Sequence, residues 1–352
     1  MMKYTGEQAL EILERTFEGR LRRSPEVGTD PEMGSAIASV LPREAGEIEL
    51  LAEIAGRHSL PLVPVGAGTA FRSRGRPESV LVRFDLMRAI RLPQTGEEWI
   101  EVEPGTPWLN VDDVLRRRGM GLTVYPTSAP RTTIGGWVAT NGLGVGSFEY
   151  GWLHENIVSA SVVLPGGERR EVTGMEVVGM LDPDRAGGIL VGTKLRIRRA
   201  DGDVLFAMAF DDAESLVGAL NDVVARRLPL WHLAFIGPAM ARSRNLGGDY
   251  LLFGAYPGDR GEAVARALEE TARWRYARML TVPEARRTWG ERFYPATPSR
   301  VPAGATREFI PSTGLAEKLG EKEKQSAVQG TVTKTGEVLL LTLMDGDSGS
   351  VS

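Results

Sequence analysis

The 352-residue sequence contains no cysteine and only three histidines. The lack of cysteine excludes disulfide bonds, cysteine-ligated zinc and cysteine-held iron–sulfur clusters, although it does not fix the compartment. Long hydrophobic runs are lacking as well, because the longest late one, residues 338–344, is far too short to span a bilayer. Near the N-terminus, glutamates interrupt the apolar core that a signal peptide needs, at Glu7, Glu11, Glu14 and Glu18. We therefore expect a cytoplasmic protein with no membrane span.

A strong excess of one charge is also missing. The 42 lysines and arginines nearly balance the 46 aspartates and glutamates, which leaves a net charge of −4 at pH 7. Such a chain has no general attraction to nucleic acid or to an anionic membrane, so we expect no nucleic-acid partner. With 42% hydrophobic residues the chain can bury a full core, and its length allows two domains.

Periodicity and turn residues divide the chain into four parts. We predict an N-terminal helix and linker over residues 1–34, a first domain over 35–200, a second domain over 201–344 and a disordered tail over 345–352. The apolar spacing predicts helices over residues 6–22, 44–58, 108–118, 212–227, 261–275 and 315–325. Short apolar runs predict strands over residues 61–65, 79–84, 99–102, 157–164, 169–172, 190–198, 204–210, 230–236 and 251–256, and a closing strand or hairpin arm over residues 331–344.

The order of these elements indicates the fold class. In the first domain, Gly and Pro rather than long helices bound the strands, which favours an α+β fold over a doubly wound nucleotide-binding fold. A small parallel unit is expected first, followed by a larger sheet. The strands and helices after residue 201 alternate in a way that is compatible with a smaller ferredoxin-like cap domain.

A first glycine-rich stretch, PLVPVGAGTA at residues 61–70, follows a predicted strand. Because glycine has no Cβ, small residues let backbone N–H groups approach a bulky anion closely. A tight strand-to-helix turn is the alternative. The Rossmann fingerprint does not apply, since Phe71 stands where its third glycine should be. We predict that the amides of residues 66–70 contact a pyrophosphate and that the Thr69 hydroxyl donates one more hydrogen bond.

A second glycine-rich stretch reads PTS at residues 126–128, TTIGGWVATNG at 132–142 and YG at 150–151. Asn141 tolerates the left-handed backbone region and can donate an amide hydrogen bond. A glycine-rich loop at a sheet corner is the alternative interpretation. Two such stretches, each entered from an extended proline-containing segment, predict a long dinucleotide that is held from two sides.

Together these motifs resemble those of a known family. They match the P-x-G-x-G-T and P-x-S…T-I-G-G-x-x-A-T-N-x-x-G…Y-G patterns of FAD-linked oxidases of the vanillyl-alcohol oxidase/p-cresol methylhydroxylase (PCMH) type. The resemblance is closest to the glycolate oxidase and D-lactate dehydrogenase branch, and it implies a two-lobed PCMH-type FAD-binding domain. The FAD contacts that it implies are Pro64, Gly66, Ala67, Gly68, Thr69, Ala70, Pro126, Ser128, Thr133, Ile134, Gly135, Gly136, Thr140, Asn141, Gly142, Tyr150, Gly151 and Ile189.

The chain departs from the family pattern in places. No histidine lies in the first loop, where the family's histidyl-flavin bond commonly falls, and no cysteine is present, so we expect noncovalent FAD. Residues 182–185 replace the family's S-E-G element, which leaves the backbone of Ile189 as the expected contact with the adenine. The neighbouring GGILVGTK at residues 187–194 has the outline of a phosphate loop. It predicts a strand instead, because the lysine does not directly follow the last glycine.

Each histidine has two interpretations. His58 is expected to cap a helix C-terminus rather than act in catalysis. His154 follows the Tyr150-Gly151 pair and either approaches the cofactor or lies on the surface. His232 lies in a predicted strand and either faces the flavin as a base or belongs to the core. The hydroxy-acid branch usually carries metal-binding histidines in a late motif, and no histidine follows His232, so we expect no metal site.

A late arginine–aromatic segment offers the remaining candidates for chemistry. Arg292 could hold a substrate carboxylate with both arms of its guanidinium, and Tyr294 could add a hydroxyl and an aromatic face. The alternative is a surface helix with snorkelling arginines.

The resemblance implies an FAD-dependent oxidoreductase that oxidises a small 2-hydroxy acid or related alcohol by hydride transfer to flavin N5. In that hypothesis His232, Arg292 and Tyr294 are the catalytic residues. The main alternative is a non-catalytic FAD-binding subunit of a glycolate oxidase-like complex, which needs a catalytic or electron-transfer partner subunit. A degenerate flavin-binding module is a third interpretation. The substrate and the electron acceptor stay open at this point.

Overall fold

The computed structural model describes residues 3–23, 36–67, 78–293, 306–322 and 326–344. Its helices are α1 (Lys3–Thr16), α2 (Ala45–Arg57), α3 (Trp108–Arg116), α4 (Ile134–Thr140), α5 (Ser147–Tyr150), α6 (Gly174–Leu181), α7 (Ala213–Ala225), α8 (Pro238–Ser243), α9 (Gly261–Trp274), α10 (Val282–Gly290) and α11 (Leu315–Lys322). Its strands are β1 (Leu21–Arg23), β2 (Ala38–Val40), β3 (Leu62–Val65), β4 (Val80–Arg83), β5 (Ile90–Arg91), β6 (Trp99–Val102), β7 (Met120–Leu122), β8 (Ile157–Val163), β9 (Arg169–Val172), β10 (Ile189–Arg199), β11 (Val204–Phe210), β12 (His232–Ile236), β13 (Tyr250–Tyr256), β14 (Arg278–Met279), β15 (Thr306–Pro311), β16 (Ser326–Val332) and β17 (Glu337–Met344).

Most of the predicted elements are confirmed within one or two residues, and the differences have local causes. The first helix ends at Thr16 and not near residue 22, because the chain turns at Gly19, whose φ is 71°, into β1. The segment over residues 331–344, expected to be a closing strand or a hairpin arm, forms the end of β16 and all of β17, which pair as a hairpin with a turn at Gly336, whose φ is 81°. The predicted tail over residues 345–352 lies outside the described residues, as does most of the predicted linker.

The chain forms two compact units that do not follow a single cut in the sequence. The N-terminal unit consists of Met1–Leu115, Ala129–Gly142 and Leu153–Arg198, and the C-terminal unit of Arg116–Ser128, Leu143–Trp152 and Arg199–Ser352. The predicted boundary near residue 200 lies close to the last of these crossings. The two earlier excursions, which take residues 116–128 and 143–152 into the C-terminal unit, are not in the sequence-based division.

The first sheet of the N-terminal unit has the strand order β1-β2-β4-β3, in which β2, β4 and β3 run parallel. Parallel neighbours need a crossover connection, and α2 supplies the one between β2 and β3. The helix buries Ile48, Leu51 and Ala55 in the core that the sheet shares with α1. The strand β3 lies at the edge of the sheet. Its Pro64 has no backbone N–H, and an edge strand is where a sheet tolerates proline.

The second sheet of this unit contains β5, β6, β10, β8 and β9 in that order, with antiparallel neighbours. The side chains of β10 alternate between buried and less buried positions from Val191 to Leu195. Helix α4 lies in this unit as well, where an isolated bridge joins Pro107 to Thr133. The smaller parallel and larger antiparallel sheets agree with the predicted order.

The C-terminal unit is built on a seven-stranded sheet with the order β14-β11-β13-β12-β16-β17-β15. Its first part, β11-α7-β12-β13-α9-β14, is a β-α-β-β-α-β arrangement in which the strands lie in the order fourth, first, third, second. Alternate residues of each strand point to opposite faces. One face packs on α7, α9 and α11, and the other on α8 and α10.

Candidate functional site

The two glycine-rich segments of the N-terminal unit lie directly against each other. Gly66 follows β3, and a Cβ added to it would lie 2.8 Å from Thr133 Oγ1 and 3.3 Å from Gly136 Cα. Gly66 and Ala67 are exposed, and Gly136 is half-buried. The two segments thus share a surface that carries little side-chain bulk. Gly68, Thr69 and Ala70, which were also predicted to bind the cofactor, lie outside the described residues.

The second glycine-rich segment forms a helix, α4, which the apolar spacing did not predict. Thr133 is the N-cap of α4, and its Oγ1 accepts a hydrogen bond of 3.3 Å from the Gly136 N–H. Hydrogen bonds to the segment before α3 hold the next two residues: Ile134 N–H donates to Thr106 O and Gly135 N–H to Pro104 O, both over 2.8 Å. These amides are therefore already paired inside the protein, and this turn offers a ligand its bare backbone surface.

Glycine at position 135 is required by close packing. A Cβ added there would lie 2.8 Å from Pro104 Cβ and 3.1 Å from Pro104 O, both closer than real Cβ contacts. On the opposite side of the helix, Trp137 contacts the ring of Trp108 edge-on at 5.1 Å. Helix α4 is thereby held in place by packing on both of these sides.

At the end of α4, Asn141 and His154 hold each other through two hydrogen bonds. Asn141 is the C-cap residue with a φ of 46° and a ψ of 160°, a backbone conformation that residues other than glycine rarely adopt. Its Nδ2 lies 3.1 Å from His154 Nδ1, and its Oδ1 accepts a hydrogen bond of 3.1 Å from the His154 N–H. The structure thus places His154 beside a predicted cofactor residue. Thr140 directs its hydroxyl back to the carbonyls of α4 instead.

The remaining predicted contacts of this unit are Gly142 and Ile189. The Gly142 carbonyl accepts a hydrogen bond of 3.0 Å from the Leu153 N–H, and a Cβ on it would lie 3.1 Å from Trp137 Nε1. Ile189 begins β10 and buries its side chain in the core of the first sheet. Its backbone pairs with Val163 of β8, and its predicted backbone contact with the adenine stays a prediction.

In the C-terminal unit, the segment that holds Pro126 and Ser128 pairs with the one that leads to Tyr150 and Gly151. Tyr125 exchanges two hydrogen bonds with Val145, of 3.0 and 2.8 Å. A Cβ on Gly144 or Gly146 would lie within 2.2 Å of the carbonyls of Tyr125 and Thr123. These glycines therefore permit the tight pairing of the two segments. Pro126 is buried, and Ser128, Tyr150 and Gly151 are half-buried.

His232 begins β12 and is completely enclosed. Its Nδ1 accepts a hydrogen bond of 3.3 Å from the Gly146 N–H, and its ring packs near Phe253 and Trp289, at centroid distances of 6.4 and 5.7 Å. Burial, with the positive charge of Arg292 as a second cause, lowers the pKa of His232 from 6.5 to about 3. The imidazole is thus neutral at physiological pH and is a weak base.

Arg292 lies in an aromatic cluster, which we define as Tyr125, Trp231, Trp289 and Phe293. Its guanidinium carbon is 4.1 Å from the Phe293 ring centroid and 4.7 Å from that of Trp289, in cation–π geometry. Its Nε donates to Tyr125 Oη and its Nη1 to Trp289 O, both over 3.0 Å. Within the described ranges, no carboxylate forms an ion pair with this half-buried cation. The cluster is therefore suited to an anionic group with a small apolar body.

Two residues that the sequence did not single out lie behind this arginine. Arg244 donates from Nη1 to Glu291 O and from Nη2 to Gln329 Oε1, the latter over 3.2 Å. Gln329, which is 3% exposed in β16, donates from Nε2 to Arg292 O over 2.8 Å. No periodicity or motif marks either residue, because their partners lie 37 to 85 residues away in sequence. Tyr294, the third predicted catalytic residue, lies outside the described residues.

The described residues also bear on metal binding and on membrane insertion. Among the described residues, no three acidic or histidine side chains converge in a way that could hold a metal ion. Within those same ranges, no helix has both the length and the apolar character required to cross a membrane.

Comparison with known proteins identifies the first part of the chain. Residues 36–173 match the family described as FAD binding domain. Over 131 residues the chain is 28% identical to a mitochondrial D-lactate dehydrogenase (cytochrome) of Arabidopsis thaliana, which covers 37% of this chain and 23% of that protein. Over 137 residues it is 28% identical to D-2-hydroxyglutarate dehydrogenase of Escherichia coli K12, covering 37% and 13%. The matched segment thus spans less than a third of each of these relatives.

Solved structures extend the likeness to nearly the whole chain. A structure of p-cresol methylhydroxylase with bound substrate superposes with a TM-score of 0.76 at 14% identity, covering 97% of this chain and 83% of that one. An alkyldihydroxyacetonephosphate synthase superposes with a TM-score of 0.75 at 15% identity, covering 96% and 80%. At such low identity these likenesses show the fold alone.

Proposed function

We propose that the chain, whose residues 36–173 match the FAD binding domain family, is a PCMH-type FAD-linked oxidoreductase that oxidises a small 2-hydroxy acid or a related alcohol. The single observation that carries the substrate class is Arg292, a half-buried guanidinium among aromatic rings with no carboxylate ion-pair partner in the described residues. The names of the sequence relatives, D-lactate and D-2-hydroxyglutarate dehydrogenase, are those of enzymes that act on 2-hydroxy acids.

The N-terminal unit would hold the FAD, and its residues fit that group. Gly66 and Ala67 from the first segment and Thr133–Gly136 from the second form one surface with little side-chain bulk, which a dinucleotide can approach closely. The Asn141–His154 pair fixes the end of α4 beside this surface. When bound, FAD supplies the hydride-accepting chemistry, and we propose that it is held noncovalently.

The C-terminal unit would serve as the substrate cap. There, the Arg292 guanidinium would bind the carboxylate of the substrate, while the Tyr125 hydroxyl keeps the arginine in one rotamer. Trp231, Trp289 and Phe293 would cover the apolar part of the substrate and exclude water. We further propose that Tyr294, which follows Phe293 directly, adds a hydroxyl to this site.

His232 was predicted to be the base, and its surroundings favour another role. A neutral imidazole whose Nδ1 is occupied by the Gly146 N–H and whose pKa is about 3 has little tendency to take a proton from an alcohol. We propose that it holds the Gly146 turn in place and that its ring packs on the aromatic cluster at Trp289.

The experiment is anaerobic reduction of the flavin by single substrates. Purified protein, reconstituted with FAD, is mixed with a panel of D- and L-2-hydroxy acids and the matching alcohols that lack the carboxylate. We expect bleaching of the flavin absorbance by at least one hydroxy acid and by none of the matching alcohols at equal concentration. Bleaching by the alcohols with equal efficiency would contradict the role of Arg292, and release of the flavin on acid precipitation checks noncovalent attachment.

The same panel tests the alternative, an FAD-binding subunit that needs a catalytic or electron-transfer partner. In favour of this alternative, the matched segment covers at most 23% of the dehydrogenases named above. A protein that binds FAD tightly but is bleached by no member of the panel would support the subunit. Weak binding in a titration with free FAD would contradict both functions.

A further inference from the structure

Arg244 is a half-buried cation of the C-terminal unit, and the negative charge of the Glu291 carboxylate only partly offsets its loss of hydration. In the described part of the chain it forms no ion pair, and burial lowers its pKa from 12.5 to about 10. Burying an arginine is unfavourable unless its donors are satisfied. Here both acceptors are oxygens of other residues: the Glu291 carbonyl and the Gln329 side-chain amide.

Both of these acceptors lead to the same short piece of backbone. Helix α10 ends at Gly290, so the carbonyls of Glu291 and Arg292 have no partner within the helix. Arg244 binds the first of these carbonyls directly, and Gln329 binds the second through its Nε2. Since Gln329 also accepts from Arg244, its amide can adopt only one orientation.

The arrangement thus fixes the backbone from which the Arg292 side chain projects. The two residues come from elements that are far apart in sequence, since Arg244 follows α8 and Gln329 lies within β16. A guanidinium that binds a carboxylate through two nitrogens needs a defined orientation, which supporting hydrogen bonds from behind can provide.

We propose that Arg244 and Gln329 are positioning residues that hold the Glu291–Arg292 backbone so that Arg292 keeps one orientation toward the substrate carboxylate. This inference rests on the proposed function of Arg292 and names two residues that act through it. Neither residue touches the substrate.

Steady-state kinetics of four variants test the proposal, with the hydroxy acid that bleaches the flavin as substrate. Arg244→Gln removes the guanidinium that donates to both Glu291 O and Gln329 Oε1. In Gln329→Glu the bond to Arg244 becomes an ion pair, while the donor to the Arg292 carbonyl is removed. We expect both to raise KM about tenfold while kcat changes less than about threefold. The matched control is Arg242→Gln, since Arg242 is exposed on α8 and has no side-chain bond in the described residues, and it should leave KM unchanged.

A double-mutant cycle distinguishes positioning from a general loss of stability. If Arg244 acts through Arg292, then Arg244→Gln should raise KM much less in an Arg292→Lys background than in the wild type. An equal effect in both backgrounds would overturn the proposal. So would a Gln329→Glu variant with unchanged KM, because a merely structural role is served by the new ion pair.

Hydrogen exchange keeps this test independent of turnover. The N–H groups of Glu291 and Arg292 are bonded to the carbonyls of Thr288 and Trp289. In the FAD-loaded protein without substrate, Arg244→Gln should speed their exchange about tenfold, and Arg242→Gln should not. If exchange is faster but the protein oxidises no hydroxy acid, the proposed function is refuted. The role of Arg244 and Gln329 in holding the Glu291–Arg292 backbone is then still supported. Unchanged exchange would refute the support itself.

Discussion

The N–H of Gly146 donates a hydrogen bond to Nδ1 of His232, although 86 residues separate the two in sequence. Because this nitrogen must carry a lone pair to accept the bond, the imidazole has to be neutral in the folded protein. His232 is only 1% exposed, so water cannot replace the bond when it is lost. The relationship thus joins the turn at residues 143–152 to the start of β12 within one unit.

This bond predicts a pH dependence of stability. The pKa of His232 is lowered to about 3 in the folded state against 6.5 in the unfolded chain, so the unfolded state binds more protons between these values. The free energy of unfolding should therefore fall as the pH drops from about 6.5 toward 3, by about 1.4 kcal/mol per pH unit in the steepest part. In His232→Asn, whose amide oxygen can accept from Gly146, the slope should be smaller. Denaturant titrations from pH 7 to pH 4 compare the two slopes, and parallel curves would contradict the assignment.

The aromatic cluster around Arg292 predicts graded losses of substrate affinity. Arg292→Lys keeps the charge but loses the planar fork, and we expect KM for a 2-hydroxy acid to rise about 100-fold. Tyr125→Phe removes only the partner of Arg292 Nε and should raise KM about fivefold. The matched control is Arg287→Lys, because Arg287 is exposed on α10, just before Arg292 in the chain, and forms no ion pair in the described residues. A Tyr125→Phe variant that affects KM more than Arg292→Lys would argue against a guanidinium clamp.

The contact between the two glycine-rich segments predicts a loss of FAD affinity in Gly66→Ala. Since the new Cβ would lie 2.8 Å from Thr133 Oγ1, the segments must move apart. We expect the Kd for FAD, from quenching of flavin fluorescence on titration, to increase about tenfold or more. Gly179→Ala is the control, because a Cβ there has no atom within 4 Å, and alanine favours the helix α6. Equal FAD affinities in the two variants would mean that this contact does not shape the cofactor site.

The left-handed conformation of Asn141 can be separated from its side-chain bonds by two substitutions. Asn141→Gly keeps the positive φ without strain but loses both bonds to His154, and Asn141→Ala loses the bonds and adds strain. We expect losses of about 1–2 kcal/mol in unfolding free energy for glycine and about 1 kcal/mol more for alanine. Both variants should bind FAD more weakly. Chemical denaturation of the apoprotein and FAD titration provide the two measurements, and a more stable alanine variant would rule out the strain.

Elements with a strong period could be predicted from the sequence, and the short helices could not. The buried face of α2 and the alternation in β10 follow from apolar spacing alone. Helix α4 was missed because Gly135 and Gly136 disfavour a helix. Its packing on Pro104 and Trp108 overrides that preference. Helix α10 was missed for a different reason, since only Ala285 and Thr288 are buried along it.

The candidate site divides in the same way. Glycines that approach backbone can be recognised from their motifs, and the contact of Gly66 with Thr133 and Gly136 is the meeting of segments on which the sequence-based prediction depended. The prediction for His232 depended on strand alternation, which gives the face but not the burial. Arg244 and Gln329 carry no local signal, because they lie 85 residues apart in sequence and come into contact only when the chain has folded. The FAD contacts of the individual residues stay predictions.

Residues 116–128 and 143–152 belong to the C-terminal unit although they precede residue 199, and this limits how the protein can be cut into fragments. A fragment that begins at Arg199 contains all seven strands of its sheet but lacks Thr123, whose carbonyl accepts the Trp231 indole N–H over 2.9 Å, and lacks the partner of His232. The C-terminal unit is therefore not a module that gene fusion could move as one continuous piece. Exchange of this unit between relatives should preserve folding only when residues 116–128 and 143–152 are exchanged with it.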